Sequence, residues 1–532
     1  MPETAIQPVV ESQRSFGTKL SQNVLASLSR VIAVSLVALV LPAYLTHHLP
    51  VSTYAAWVLI IQLGAYVSYL DLGIQTGVSK FVAEFDARGD LAGAGRHASA
   101  GLALMLFAGF LGLLLTCGLA WQVPNMFHEM PSSLYHQVRV SVMLVGSSLS
   151  FGLVCSVYSA VFLGLQRYWI PMSITIINRL SYATVIVAIV ALHRNLEAMG
   201  IAVAAVNVST GLLQVVAWKQ RASHIRVSLR TADYPVLRNV TRFCSLQSVW
   251  MIAMLCIAGL DVTIVGHYDY LQTAYYSIAT LPVAFVLMIM SAMLNPLMPA
   301  SSALSMHRSP VQMGELVAKV TRYSTLTLLL TGLPLIVFGY PILRAWVGEY
   351  YAQRTLPYLR ILVFANIIRN LCAPYATMIV ATDRQSAAIA AAVSEAVVNL
   401  GSSIYLASRF GAIGVAFGTV IGAFVSIALH FGVTMRFARQ TLAISRLRLL
   451  SKGILLPAVV AIPSLLALPL CWSPGRAASG APLMMAWCVS TLLFAWYTGL
   501  TTSDRMDGLR IVRSLLDPVR LFASTSPASR TT

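Results

Sequence analysis

Five apolar stretches of the chain carry polar side chains at helical spacing. Asn23, Ser27 and Arg30 stand at i, i+4, i+7, and Gln62, Tyr66 and Tyr69 repeat that spacing. Asn178 and Arg179 are adjacent, and Asn366, Arg369 and Asn370 follow at i, i+3, i+4. Glu395, Asn399 and Ser402 return to i, i+4, i+7. On a helix each spaced set falls on one face. A charge at mid-bilayer costs about 2.5–3.5 kcal/mol on insertion scales, so it persists where it faces protein or a water-filled cavity. We therefore expect Arg30, Arg179, Arg369, Asn178, Asn366, Asn370, Asn399 and Gln62 to line a polar cavity. A guanidinium is planar, always charged and matched to phosphate. Amide and hydroxyl groups suit hydroxyl-rich ligands. Phosphate plus sugar is the ligand chemistry these residue types favour.

Each residue also has a plainer reading. Arg30 can bond helix-end carbonyls. Arg179 lies near one end of its stretch and Arg360 near the end of another, where a long side chain reaches the interface. Glu395 either pairs with Arg369 from a neighbouring helix or titrates. Asp71 and Asp261 sit near stretch ends, as caps or gates. Pro282 and Pro374 should kink the helices that contain them.

The elements holding these residues must be membrane helices. The chain has 532 residues, 58% hydrophobic and only 10% charged, against about 25% charged in soluble domains. A span needs roughly 20 apolar residues. The pattern predicts fourteen, at about 21–43, 54–72, 98–121, 138–164, 171–192, 198–218, 243–265, 274–297, 318–340, 356–381, 386–407, 412–435, 450–471 and 481–500. The first stretch is too long for a cleaved signal and lacks a small-residue cleavage site. Junctions 164–171 and 381–386 are tight enough for a broken segment. The seven cysteines form no CxxC pair, so we expect small buried hydrophobes and neither a metal site nor a cofactor.

The net charge of +18 does not imply nucleic acid, because the basic residues lie in short loops between apolar runs. With the N-terminus in the cytoplasm, inside loops and tails hold 26 Lys and Arg, among them Lys319 and Arg322, and outside loops hold 5. A wrong helix count would scramble that bias, so it supports an even number of spans with both termini cytoplasmic. The chain divides into a tail at 1–20, an N-lobe at 21–218, a basic linker at 219–242, a C-lobe at 243–435, two further helices with a basic loop at 436–500, and a basic, Ser/Thr-rich tail at 501–532. The tail is expected on the inner leaflet or disordered. Ala198–Val206 (AMGIAVAAV) and Ala412–Val420 (AIGVAFGTV) agree at four of nine positions. Asn178 and Asn399 are 221 residues apart, as are Tyr54 and Tyr275. Two like-oriented six-helix halves are a transporter arrangement.

Three segments carry a resemblance: Tyr54–Trp57 (YAAW) running into Tyr69–Ile74 (YLDLGI) and Ala83–Phe85 (AEF); Leu163–Tyr168 (LGLQRY); and Asn399–Gly401 (NLG) leading to Phe410–Ala416 (FGAIGVA). Over about 20–436 the chain resembles the polysaccharide-flippase (Wzx-type) branch of the multidrug/oligosaccharidyl-lipid/polysaccharide (MOP) exporter superfamily. The resemblance implies an all-α, MATE-like fold of two six-helix halves, here with two extra C-terminal helices. It implies flipping of a polyprenyl-pyrophosphate-linked oligosaccharide across the bacterial cytoplasmic membrane by alternating access, driven by H+, Na+ or the membrane potential. Polysaccharide assembly proteins would be partners. Glu395, Asp71 and Asp261 are the coupling or gating candidates. The lipid II flippase branch ranks second: Ser29-Arg30 matches its first span, but Val34-Ser35-Leu36 replaces its further Arg-Asp pair. Glu395 alone speaks for a cation-coupled drug exporter. A glycosyltransferase or polymerase needs catalytic groups on sizeable outer loops, and those loops hold only Glu129, Glu197, Asp269 and Glu349 as acids. No GxxxxGK[ST] loop occurs. An assembly scaffold would have no use for buried arginines.

Overall fold

The computed structural model describes residues 29–294, 297, 309–381, 385–437, 442–471, 480–502 and 504–506. Those residues are helices joined by short turns, with no strand among them. The first half contains α1 (Ser29–His48), α2 (Val51–Ala65), α3 (Ile74–Ala87), α4 (Leu91–Met126), α5 (Ser132–Gly164), α6 (Trp169–Ala191) and α7 (Leu196–Arg221). The second half contains α8 (Tyr234–Met254), α9 (Asp261–Tyr268), α10 (Gln272–Leu294), α11 (Pro310–Val337), α12 (Gly339–Val347), α13 (Glu349–Asn370), α14 (Ala373–Ala381), α15 (Gln385–Phe410) and α16 (Ala412–Leu429). Two more follow, α17 (Arg446–Leu466) and α18 (Gly480–Phe494).

Among the described residues 12 helices are long and apolar enough to cross a membrane, or 13 if the bent pair α13–α14 is one span. The expected fourteenth, 481–500, is helical as α18, which at 15 residues is too short to count by itself. Pro374 explains the 42° bend between α13 and α14. It lacks an N–H and its ring crowds the carbonyl four residues back, at Asn370. The junction at 164–171 is a tight turn with Gln166 at φ 55°, and 382–384 lie outside the described residues.

One expectation needs correction. The second span does not stop at residue 72. It continues from Val51 to Ala87, interrupted by a 3-10 turn at Tyr66–Asp71 and by left-handed Leu72 and Gly73. Asp71 caps the restart, accepting from Gln75 N at 3.1 Å. The basic segment 219–242 packs against first-half helices. Ser228 N and Thr231 Oγ1 both reach Ser99 Oγ, at 3.0 and 2.9 Å, and Ile225 and Val240 are buried with Val78, Val157 and Phe162.

The described residues form two compact units: those of 29–285 with 343–362 and 389–425, and those of 286–342 with 363–388 and 426–506. The first unit takes the whole first half together with α8, α9 and parts of α10, α12, α13, α15 and α16.

In the second unit Arg322, expected among the basic loop residues, is buried inside α11. Its Nε lies 2.9 Å from Asp504 Oδ2 as an ion pair, and its Nη2 lies 3.4 Å from Oδ1. Asp504 also accepts from Tyr323 Oη at 2.9 Å and Thr501 N at 3.0 Å. The chain just past residue 501 is therefore packed in place, whereas 507–532 lie outside the described residues. Burial alone would raise the Asp504 carboxyl. The Thr501 and Tyr323 hydrogen bonds and the Arg322 charge outweigh it and hold the group below the usual carboxylate value. A lowered carboxyl contributes stability above its unfolded value, about pH 4, and loses it as pH falls through the folded one. Asp504→Asn leaves Arg322 buried without its counter-charge, at a cost of about 3–5 kcal/mol. We expect a lower thermal midpoint for that variant at pH 7, with the difference from the parent shrinking below pH 4.

Candidate functional site

The first unit contains a buried polar cluster where first-half and second-half helices meet. Its centre is Asp261, 6% exposed at the start of α9. A π-helical turn at Leu255–Gly259 precedes it, a distortion common at functional sites. Asp261 Oδ2 accepts from Tyr276 Oη of α10 at 3.2 Å and from Thr419 Oγ1 of α16 at 3.3 Å. On the α2 side Gln62 donates to Gly259 O at 2.6 Å, and the Tyr66 and Thr263 hydroxyls share a hydrogen bond. The Gln62/Tyr66 face read from the sequence thus lies against the π turn and α9.

A glycine series explains how α15 reaches the same region. Gly414, Gly418 and Gly422 repeat every four residues on one face of α16. A Cβ on Gly418 would meet Ser403 Oγ at 2.3 Å, and one on Gly422 would meet Asn399 Cβ and Nδ2 at 2.8 Å. Such small-residue faces let helices approach closely. Asn399 is fully buried, and both amide atoms lack a hydrogen-bond partner among the described residues. Ser403 Oγ and Thr419 Oγ1 share the Val415 carbonyl, at 3.5 and 3.2 Å. The carboxylate, amide oxygen, hydroxyls and carbonyl supply oxygen ligands of the kind a hard cation takes, or a route for a proton.

The cationic candidates are placed less centrally. Arg30 is half-buried on α1, and its Nε is buried without a hydrogen-bond partner among the described residues. Asn23 and Ser27, the rest of its stripe, lie outside those residues. Asn178 donates to Thr210 Oγ1 of α7 at 2.8 Å, a helix-packing contact. Arg179 is exposed on α6. Asn366, Arg369 and Asn370 belong to the second unit; Asn366 is buried, and Asn370 Nδ2 donates to its carbonyl at 2.8 Å. Glu395, 5% exposed, belongs to the first unit.

Sequence reading missed the closure of the first unit at its arginine-poor end. His267 Nδ1 donates to Met126 O at 2.6 Å, and Tyr270 N donates to Glu129 Oε2 at 3.1 Å. Tyr270 Oη reaches Ser52 O at 2.6 Å. The His128 and His267 rings are 6.0 Å apart. Burial, then the Glu129 charge, raises the Asp269 carboxyl. Beside this clasp Tyr351 packs on Tyr54 and Tyr275, at 6.1 and 5.4 Å between ring centres. The equal spacing of Tyr54 and Tyr275 within the two halves is the one sequence signal that pointed here.

These features define a multi-pass helical membrane protein with the fold of MOP-superfamily transporters. The lipid II flippase MurJ in an inward closed conformation superposes with TM-score 0.66 at 11% identity, covering 89% of this chain and 98% of that one. An inward-facing multidrug resistance MATE transporter gives 0.63 at 16% identity, covering 76% and 94%. A MOP superfamily transporter from Pyrococcus furiosus, described by a binding pocket of reverse polarity, gives 0.55 at 14%, covering 80% and 95%. No protein-family model and no curated protein sequence matches the chain.

Proposed function

We propose that the protein flips a polyprenyl-diphosphate-linked oligosaccharide from the inner to the outer leaflet of a bacterial cytoplasmic membrane, coupled to inward movement of H+ or Na+. The observation that carries this reading is Arg30. A guanidinium whose Nε is buried within an apolar helix, with no hydrogen-bond partner among the described residues, is costly unless something anionic uses it. A diphosphate supplies that charge, and its oxygens match the planar donors of a guanidinium. The fold serves a lipid II flippase as well as multidrug transporters, so a lipid-linked cargo is compatible with it.

Asp261 is the proposed coupling group. It lies between helices of both halves, so a cation bound there alters the contacts that hold the halves together in the first unit. The charge bias of the loops puts the arginine-poor end outside. The His267–Met126 and Tyr270–Ser52 bonds then form the closed outer gate, which must part for release. Binding to the purified protein tests the cargo class. A polyprenyl diphosphate carrying an oligosaccharide should bind saturably, and more weakly to Arg30→Ala. Saturable binding of a lipophilic cation instead would favour a drug exporter.

The gate makes a second prediction. With the native cysteines replaced, His128→Cys with His267→Cys should be bridged by a short, reducible thiol cross-linker, since the two rings are 6.0 Å apart. Translocation should then stop, and return on reduction. Full activity of the cross-linked protein would show that this contact does not open during turnover.

A further inference from the structure

At the basic end of the first unit, the turn between α5 and α6 meets the last residue of α7. Left-handed Gln166 turns the chain sharply and presents Arg167. Arg167 Nη1 donates to Arg221 O at 2.8 Å. The Arg221 guanidinium in turn lies over the Trp169 ring, 4.9 Å from its centre. Two guanidinium groups are thereby held in place, and both residues are exposed. Among the described residues no carboxylate pairs with either. Capping the α7 carbonyl occupies one of the five N–H donors of Arg167, which leaves the rest for an anion.

The surroundings select the anion. Ile177 and Leu180 on α6 and Leu212 and Val216 on α7 are 46–53% exposed. On membrane-crossing helices such faces are covered by acyl chains. Trp169, 42% exposed, is of the type that settles at headgroup depth. A ligand that meets cations at the interface and apolar helix faces below it is a lipid with a charged head. Basic sites between helices on the cytoplasmic side hold such headgroups.

We propose that Arg167, Trp169 and Arg221 form a docking site for the phosphate headgroup of an acidic membrane phospholipid, whose acyl chains lie along α6 and α7. The site is separate from Arg30 and Asp261 and does not depend on what the protein transports. It is tested in phosphatidylcholine nanodiscs doped with phosphatidylglycerol, by native mass spectrometry of the ejected protein. The parent should retain one more phosphatidylglycerol than Arg167→Gln/Arg221→Gln, with apparent affinity about ten-fold higher. Trp169→Leu, which leaves the cap intact, should fall between them. Arg238→Gln/Arg242→Gln should retain as much as the parent. Equal retention by the parent and the Arg167/Arg221 variant overturns the site. Displacement of phosphatidylglycerol by a tenfold lower amount of polyprenyl diphosphate also overturns it, because the site would then belong to that lipid.

Discussion

Asp261→Asn should uncouple the protein while leaving it folded. Asparagine keeps the size of the side chain and one acceptor oxygen for Tyr276 and Thr419, which lie at 3.2 and 3.3 Å. It removes the charge that holds a cation or carries a proton. Translocation driven by an imposed ion gradient should fall about 100-fold, the scale at which losing one preorganised electrostatic group acts in a dry site. Binding of the lipid-linked cargo should change less than about three-fold, since the cationic side chains are untouched. Flux under Na+ and pH gradients applied separately would identify the ion. Gradient-driven flux at the parental rate would remove Asp261 from the coupling role. Asn399→Leu offers a related check. It deletes an amide that makes no hydrogen bond among the described residues, so folding should survive while ion dependence weakens.

Arg30→Ala should have an effect of similar size through the other half of the cycle. If the diphosphate neutralises this guanidinium, its loss weakens cargo binding and slows translocation, together by about 100-fold. Arg30→Lys should recover only part of this, because an ammonium lacks the planar paired donors that match phosphate. The two variants separate cleanly: Arg30→Ala lowers affinity at every gradient, whereas Asp261→Asn removes the response to the gradient. Both are read in reconstituted vesicles at matched protein density.

The fold was legible in the sequence because membrane helices announce themselves by length and apolarity. Its irregular features were less legible. The break at Tyr66–Asp71 carries no proline, and its cause is a left-handed Leu72–Gly73 pair that spacing alone does not reveal. Arg322 read as a loop cation because its partner, Asp504, lies 182 residues away. The candidate site was legible in its residue types. Helical spacing found Gln62 and Tyr66 together, and Asn399 with its neighbours, because i, i+4 and i+7 share a face. Spacing could not say which helix each face would meet. Gln62 and Tyr66 are used up against Gly259 and Thr263, and Asn178 is bonded to Thr210. The glycine series on α16 was not read from the sequence, because its consequence, drawing Asn399 and Ser403 close, needs three dimensions.

The proposed activity is carriage of a lipid-linked glycan across the bilayer. Its most direct test uses sealed inverted vesicles with a polyprenyl-diphosphate oligosaccharide in the exposed leaflet and a glycan-cleaving enzyme added outside. With the intact protein and an ion gradient, the glycan should become protected from the enzyme. Arg30→Ala at equal abundance should leave it exposed. If the intact protein protects no glycan while it moves a lipophilic cation down the same gradient, the flippase account is contradicted.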